Sequence, residues 1–132
     1  MGAFRTLIAW QLAMELADDV YQAVEPFPKS ELFVLSQQMR AAALSIPSLI
    51  AEGRGRYTPA DQRHFYREAR GSNYELQTQI EFAMRRQLVV PEQGHQLLRK
   101  AERVGRLING LLNKMNRAPL FPRPKAPRPK AQ

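Results

Sequence analysis

The stretch LFVLSQQMRAAALSIPSL, residues 32–49, decides the fold. Its apolar side chains Leu32, Leu35, Met39, Ala42, Ile46 and Leu49 step by 3, 4, 3, 4 and 3 residues, which gathers them on one side of a helix of 3.6 residues per turn. A stripe of this spacing packs against near-parallel partners. Three other segments supply them. Leu97, Ala101, Val104, Ile108, Leu111 and Met115 repeat the alternation, and so do Trp10, Ala13, Ala17, Val20 and Val24, with Met14 and Tyr21 widening that face. The remaining seam is Phe65, Ala69, Ser72, Leu76, Gln79 and Ala83, two of whose six positions are polar. No segment shows the strict alternation of a half-buried strand.

The punctuation between seams agrees with four helices. Glu25-Pro26-Phe27-Pro28-Lys29-Ser30 ends the first, because two close prolines remove donors and push their predecessors out of the helical region. Gly53 is read as the left-handed end of the second helix. Thr58-Pro59-Ala60-Asp61 supplies an N-cap, a proline at the first helical position and an acid three residues after the cap. Val89-Val90-Pro91 separates the third and fourth helices. Short connections predict an all-α, antiparallel up-down-up-down four-helix bundle over residues 1–117. Residues 118–132, APLFPRPKAPRPKAQ, hold five of the ten prolines and four basic groups without an acid, and are expected to form a disordered, Pro-rich basic C-terminal tail. Pro47 lies inside the second helix. It removes the hydrogen bond to the Ala43 carbonyl and predicts a kink, at a cost of about 3 kcal/mol where packing does not compensate.

Composition narrows the function. The 132 residues contain no cysteine, which excludes disulfides and thiolate-bound metals and suits a reducing compartment. Neither a secretory h-region nor an apolar run approaching the length of a membrane span is present, so a soluble cytoplasmic protein without membrane association is expected. Charge is segregated. Residues 1–52 carry three basic and six acidic groups, whereas residues 53–132 carry seventeen basic and six acidic groups, within an overall charge of +8. Such asymmetry suits a polyanion, nucleic acid ahead of membrane, although a basic surface also serves solubility alone.

Arg63, Arg67 and Arg70 step along the third helix, and Arg99, Arg103 and Arg106, joined by Lys100 and with Arg117 in phase, step along the fourth. They lie opposite the apolar seams, where any bundle carries charge, but seven in-phase arginines with scattered acids can also track a phosphate backbone. Gly53-Arg54-Gly55-Arg56 lacks the lysine and the preceding strand of a Walker loop, and lacks the third glycine of a dinucleotide fingerprint. Arg54 and Arg56 remain candidates for a phosphate contact or an intersubunit ion pair. Trp10, Phe65 and Phe82 are assigned to the core, and Tyr57 and Tyr66 stand as candidates for exposure, too few for a base-stacking platform.

Small and polar seam residues suggest assembly. Ala41, Ala42, Ala43 and Ser45, with Gly71 and Ser72, permit close helix approach, and the hydroxyls can bond a carbonyl freed by Pro47. Glu75 and Gln79 are candidates to join Arg40 or Glu52 in a buried network or at a subunit contact. Catalysis finds little support. Glu92-Gln93-Gly94-His95 and Asp61-Gln62-Arg63-His64 use both histidines, but each begins its helix, so antiparallel packing puts them at opposite bundle ends and no metal centre or other cofactor is expected. Two distant histidines and no cysteine assemble no nucleophilic triad.

SIPSLIAEGRGR at 45–56 and ARGSNYELQTQ at 69–79, with Phe4, Leu7, Trp10, Phe27, Pro28, Glu31 and Gln38-Met39-Arg40, resemble the four-helix-bundle proteins encoded in intervening sequences of bacterial 23S ribosomal RNA genes. That superfamily includes accessory proteins of diversity-generating retroelements, and the similarity spans residues 4–115. The resemblance implies a homopentamer around a central channel, binding to nucleic acid or to a nucleoprotein partner, and no catalysis. Leu49 departs from the asparagine usual in the family, so no role is carried to that position. The expected protein is a non-catalytic, oligomeric nucleic-acid binder, with an adaptor that docks a reverse-transcriptase-like or other nucleoprotein partner as the alternative.

Overall fold

The computed structural model describes residues 2–29 and 33–117. A 3-10 turn (Ala3–Thr6) precedes four helices, α1 (Ile8–Val24), α2 (Phe33–Arg54), α3 (Pro59–Arg85) and α4 (Pro91–Arg117), and the described residues contain no strand. Each helix packs on its neighbours in the chain and α4 closes the ring on α1, with the backbones of the diagonal pairs farther apart. The buried seams meet in one core: Leu16 and Val20 of α1, Met39, Ile46 and Ile50 of α2, Leu76 and Ile80 of α3, and Val104 and Ile108 of α4 are almost fully enclosed. Leu32 and the segment 118–132 lie outside the described residues.

Local chemistry accounts for the helix boundaries. Thr58 sits in extended geometry, its Oγ1 accepts from the Asp61 N–H at 3.2 Å, and Pro59 follows where no donor is needed. At the far end of α3 the Leu88 N–H reaches the Ala83 carbonyl at 2.9 Å and the Gln87 N–H reaches Met84 at 3.0 Å, a Schellman closure. Its left-handed residue is Gln87, with φ of 59°, rather than the usual glycine. Leu88 packs against the core in the position this motif reserves for an apolar side chain.

The second helix departs from expectation at Gly53 and in the partners of its serine hydroxyls. It runs through Pro47, which is buried. Ser45 Oγ donates to the Ala42 carbonyl at 3.0 Å and Ser48 Oγ to Leu44 at 2.9 Å, so the hydroxyls bond carbonyls on either side of Ala43 instead of the one the proline frees. Gly53 has no positive φ and does not end the helix. It is buried where a Cβ would stand 2.8 Å from Tyr66 Cε1 and 3.1 Å from Phe65 Cβ, so glycine is needed for close approach to α3.

Several side chains turn differently from their helical phase as read in the sequence. Met14 and Tyr21 are exposed, and Ala9, Leu16 and Ala23 widen the α1 face instead. Tyr66 is 2% exposed whereas Phe82 is 48% exposed, reversing both expectations; Trp10 and Phe65 are half-buried. The reason is the rotation of α3, whose buried face runs through Tyr66, Asn73 and Ile80, with Tyr66 against Gly53 of α2 and Asn73 against Ala101 of α4. Asn73, fully buried, donates from Nδ2 to the Ala101 carbonyl at 2.8 Å and accepts from Gln77 Nε2 at 2.9 Å. This satisfied amide couples α3 to α4, as buried polar groups require.

Candidate nucleic-acid interface

The corner after α2 is closed by its own backbone. Gly55 N–H bonds the Ala51 carbonyl at 3.2 Å, Arg56 N–H bonds Gly53, and Gln62 Nε2 donates to the Arg56 carbonyl at 2.9 Å. Arg56 then turns inward along the chain. Its Nη2 lies 3.4 Å from Glu52 Oε1 and its guanidinium stacks 4.5 Å from the Phe65 ring centroid. Arg56, a candidate for a phosphate contact or an intersubunit ion pair, thus makes an ion pair within its own chain while staying exposed. Arg54 remains exposed, close enough to Tyr66 for its charge to oppose the upward shift that burial imposes on that phenol.

The arginine rows of α3 and α4 occupy neighbouring helices. On α3, Arg67 is exposed, Arg63 is half-buried, and Arg70 Nη1 donates across to Asn109 Oδ1 of α4 at 3.4 Å. Asn109 was not singled out by the sequence, where an exposed asparagine carries no signal. On α4, Arg99, Arg103 and Arg106 are exposed on the side away from Ala101, Val104 and Ile108. Lys100 leaves the row. Its Nζ pairs with Asp19 Oδ2 of α1, and with Arg103, Leu12 and Glu15 it borders the groove between α1 and α4. The side chain of Arg117 lies outside those described.

Carboxylate partners separate these cations into two groups. Arg40, Arg56 and Lys100 each have one, at Glu25, Glu52 and Asp19. Among the described residues Arg63, Arg67, Arg70, Arg99, Arg103 and Arg106 have none. Unpaired charges on two adjacent helices add their fields, whereas the paired ones cancel within a few ångströms.

The expected buried network around Glu75 does not form within the chain. Glu75 is exposed and accepts from Gln79 Nε2 at 3.4 Å, Arg40 stacks 5.6 Å from the Tyr21 ring beside Glu25, and Glu52 holds Arg56. Gln79 Oε1 is buried without a partner. Ser72 is half-buried, and Gly71 is exposed with nothing within 4 Å of where a Cβ would stand, so it serves no close approach inside this chain. His64 pairs with Glu68 at 3.6 Å, and no group of three metal-ligating side chains occurs among the described residues. No described helix is long and apolar enough to cross a membrane.

A second surface lies across α1 and α2. Tyr21, Gln37, Arg40 and Ala41 border a shallow concavity, and the apolar side chains of Phe33, Val34 and Leu44 are exposed on α2. This face is far poorer in unpaired charge than the α3 and α4 face.

Comparison with known proteins adds a family. Residues 5–110 match the family model described as 23S rRNA-intervening sequence protein. A crystal structure of a protein with unknown function from the S23 ribosomal protein family of Bacteroides thetaiotaomicron VPI-5482 superposes with a TM-score of 0.73 at 19% identity, covering 80% of this chain and 98% of that one. None of the curated proteins matches the sequence.

Proposed function

The chain belongs to the 23S rRNA-intervening sequence protein family, and from that premise we propose that it binds nucleic acid, without catalysis, through the outer faces of α3 and α4. The observation that carries this reading is the set of arginines at 63, 67, 70, 99, 103 and 106, presented on adjacent helices without carboxylate partners among the described residues. Guanidinium groups spaced by helical turns can contact successive phosphates, each releasing counterions and adding to the salt dependence of binding. An up-down-up-down course of the bundle is supported by the crossing pairs Arg70 with Asn109, Asn73 with Ala101, and Gly94 beside Met84, in which later residues of one helix meet earlier residues of the other.

Assembly into a homo-oligomer, a pentamer by family resemblance, is part of the same proposal. The exposed apolar side chains of α1 and α2 support it, because oligomerisation would remove them from water. The same face favours the second reading, an adaptor that docks a nucleoprotein partner. A cytoplasmic location, where RNA and DNA are both accessible, completes the proposal.

Titration with structured RNA, single-stranded DNA and duplex DNA over a salt series tests it. Binding that steepens as salt falls is expected, and absence of affinity for all three near physiological salt refutes the nucleic-acid reading. Reversing Arg99, Arg103 and Arg106 to glutamate should reduce the slope of log affinity against log salt by at least about 2, since each lost phosphate contact removes roughly 0.7–0.9. An unchanged slope would remove α4 from the interface. Sedimentation velocity separates the assembly: a monomer at micromolar concentration contradicts the oligomer.

A further inference from the structure

Lys100 leaves the arginine row because it belongs to a different alignment. Gln93, Gln96, Lys100 and Arg103 step by 3, 4 and 3 along α4, and Leu12, Glu15, Asp19 and Gln22 step by 3, 4 and 3 along α1. These spacings keep each set on one side of its helix, and packing brings the two sides together. Asp19 and Gln22 share one hollow with Gln93, Gln96 and Lys100, while Leu12 and Glu15 share the next with Lys100 and Arg103. The result is a furrow whose cations stand on the α4 wall and whose carboxylates stand on the α1 wall.

The hollow at the glutamines has a volume of about 160 Å³, below the ~300–1,000 Å³ of pockets for drug-sized molecules, so it admits a single ring system. Leu97, 4% exposed, is the apolar side chain of its lining. The three carboxamides each carry two donors and an acceptor. Among the described residues none of the three side chains bonds within the chain, unlike those of Gln11, Gln62, Gln77 and Gln79. Lys100 holds Asp19 through Oδ2, and Oδ1 makes no hydrogen bond among the described residues. These groups are within reach of a ligand: Gln22, Gln96 and Lys100 are exposed, and Asp19 and Gln93 are half-buried.

A nucleotide has the matching polarity. Its phosphate is an anion, and its base is a flat ring with donors and acceptors on its edge, which glutamine and carboxylate side chains pair with. We propose that this hollow receives one unpaired base of a single-stranded nucleic acid, a site that rests on the nucleic-acid reading above. Lys100 and Asp19 present a donor beside an acceptor to the base edge, and Gln22, Gln93 and Gln96 complete the rim. The phosphate then lies on the α4 side, toward Arg103. A base within a duplex has its pairing edge occupied, and the second strand would bring phosphates against Glu15 and Asp19, where like charges repel. The furrow thus selects single strands over duplex.

Binding of the full chain is measured by fluorescence anisotropy against three ligands of equal length: a mixed-sequence single strand, an abasic strand with the same phosphates, and a duplex. The base-bearing strand should bind about tenfold more tightly than the abasic one, the equivalent of two neutral hydrogen bonds, and more tightly than the duplex. The double variant Gln22→Ala/Gln96→Ala alters two exposed side chains that bond nothing among the described residues, and its circular dichroism should match wild type. It should bind the base-bearing and abasic strands within about twofold of each other. Its slope of log affinity against log salt should stay unchanged, because carboxamides release no counterions. Equal wild-type affinity for the base-bearing and abasic strands, or for the strand and the duplex, overturns the hollow and leaves the arginine interface standing. A double variant that keeps the full preference does the same. Absence of binding to all three ligands removes the nucleic-acid reading and the hollow with it.

Discussion

Replacing Gly53 and Gly71 by alanine, one at a time, sets two opposed effects against each other in helices of the same molecule. Both glycines lie inside helices. Alanine is favoured over glycine in a helix interior by about 1 kcal/mol, so propensity alone makes both variants more stable. At Gly71 nothing stands within 4 Å of the added Cβ, and the full gain of about 1 kcal/mol is expected. At Gly53 the Cβ would meet Tyr66 Cε1 at 2.8 Å, Tyr66 Cδ1 at 3.0 Å and Phe65 Cβ at 3.1 Å. The Tyr66 ring is enclosed and cannot swing into solvent, so α2 and α3 must separate by several tenths of an ångström. Overpacking of this kind costs about 1–3 kcal/mol and outweighs the propensity gain. Gly53→Ala should therefore be destabilised by up to about 2 kcal/mol, and Gly71→Ala stabilised, in urea denaturation at fixed protein concentration. Two stabilised variants would refute the close approach of α2 and α3 at Gly53.

Gln87 holds a left-handed conformation without being glycine, so Gln87→Gly should stabilise the chain by about 0.5–1 kcal/mol and Gln87→Val should destabilise it, read as opposite shifts of the denaturation midpoint. Tyr66 is pushed upward from its ordinary value of 10.0 by burial, with Arg54 partly opposing. A raised phenol favours the protonated fold, so its contribution is fully present below pH about 10 and is lost as pH rises through the folded value. Tyr66→Phe should remove that alkaline component of the loss in stability, and unfolding curves at pH 8 and pH 11 with the same pH dependence as wild type would contradict the assignment. Asn73→Ala leaves the Ala101 carbonyl without its side-chain donor and should cost about 1–3 kcal/mol in thermal or chemical unfolding; a neutral substitution would show the amide to be incidental.

Much of the architecture was legible in local sequence. The Thr58 cap depends on a hydroxyl, a proline and an amide within four residues, and each occupies the expected place. The seams of α2 and α4 follow from apolar spacing, and Met39, Ile46, Val104 and Ile108 are buried as that spacing requires. The α3 seam was harder to place. Its polar residues blur the phase of the helix, and only packing shows that Tyr66 and Asn73 turn inward while Phe82 turns out. The Gln87 cap carries no sequence signal, because glutamine is not a usual left-handed residue.

The candidate site divides in the same way. By itself the sequence determined that cations recur on the outer phases of α3 and α4, since helical periodicity is a property of one segment at a time. Tertiary structure decided which of them are spoken for. Lys100 is drawn to Asp19, eighty-one positions away, Arg56 lies along Phe65, Arg70 reaches Asn109, and Arg63 is left with a covered, unmatched edge. The physical reason is reach: hydrogen bonds and ion pairs act over a few ångströms, and the rotation and register that bring distant side chains within that range are set when the helices pack.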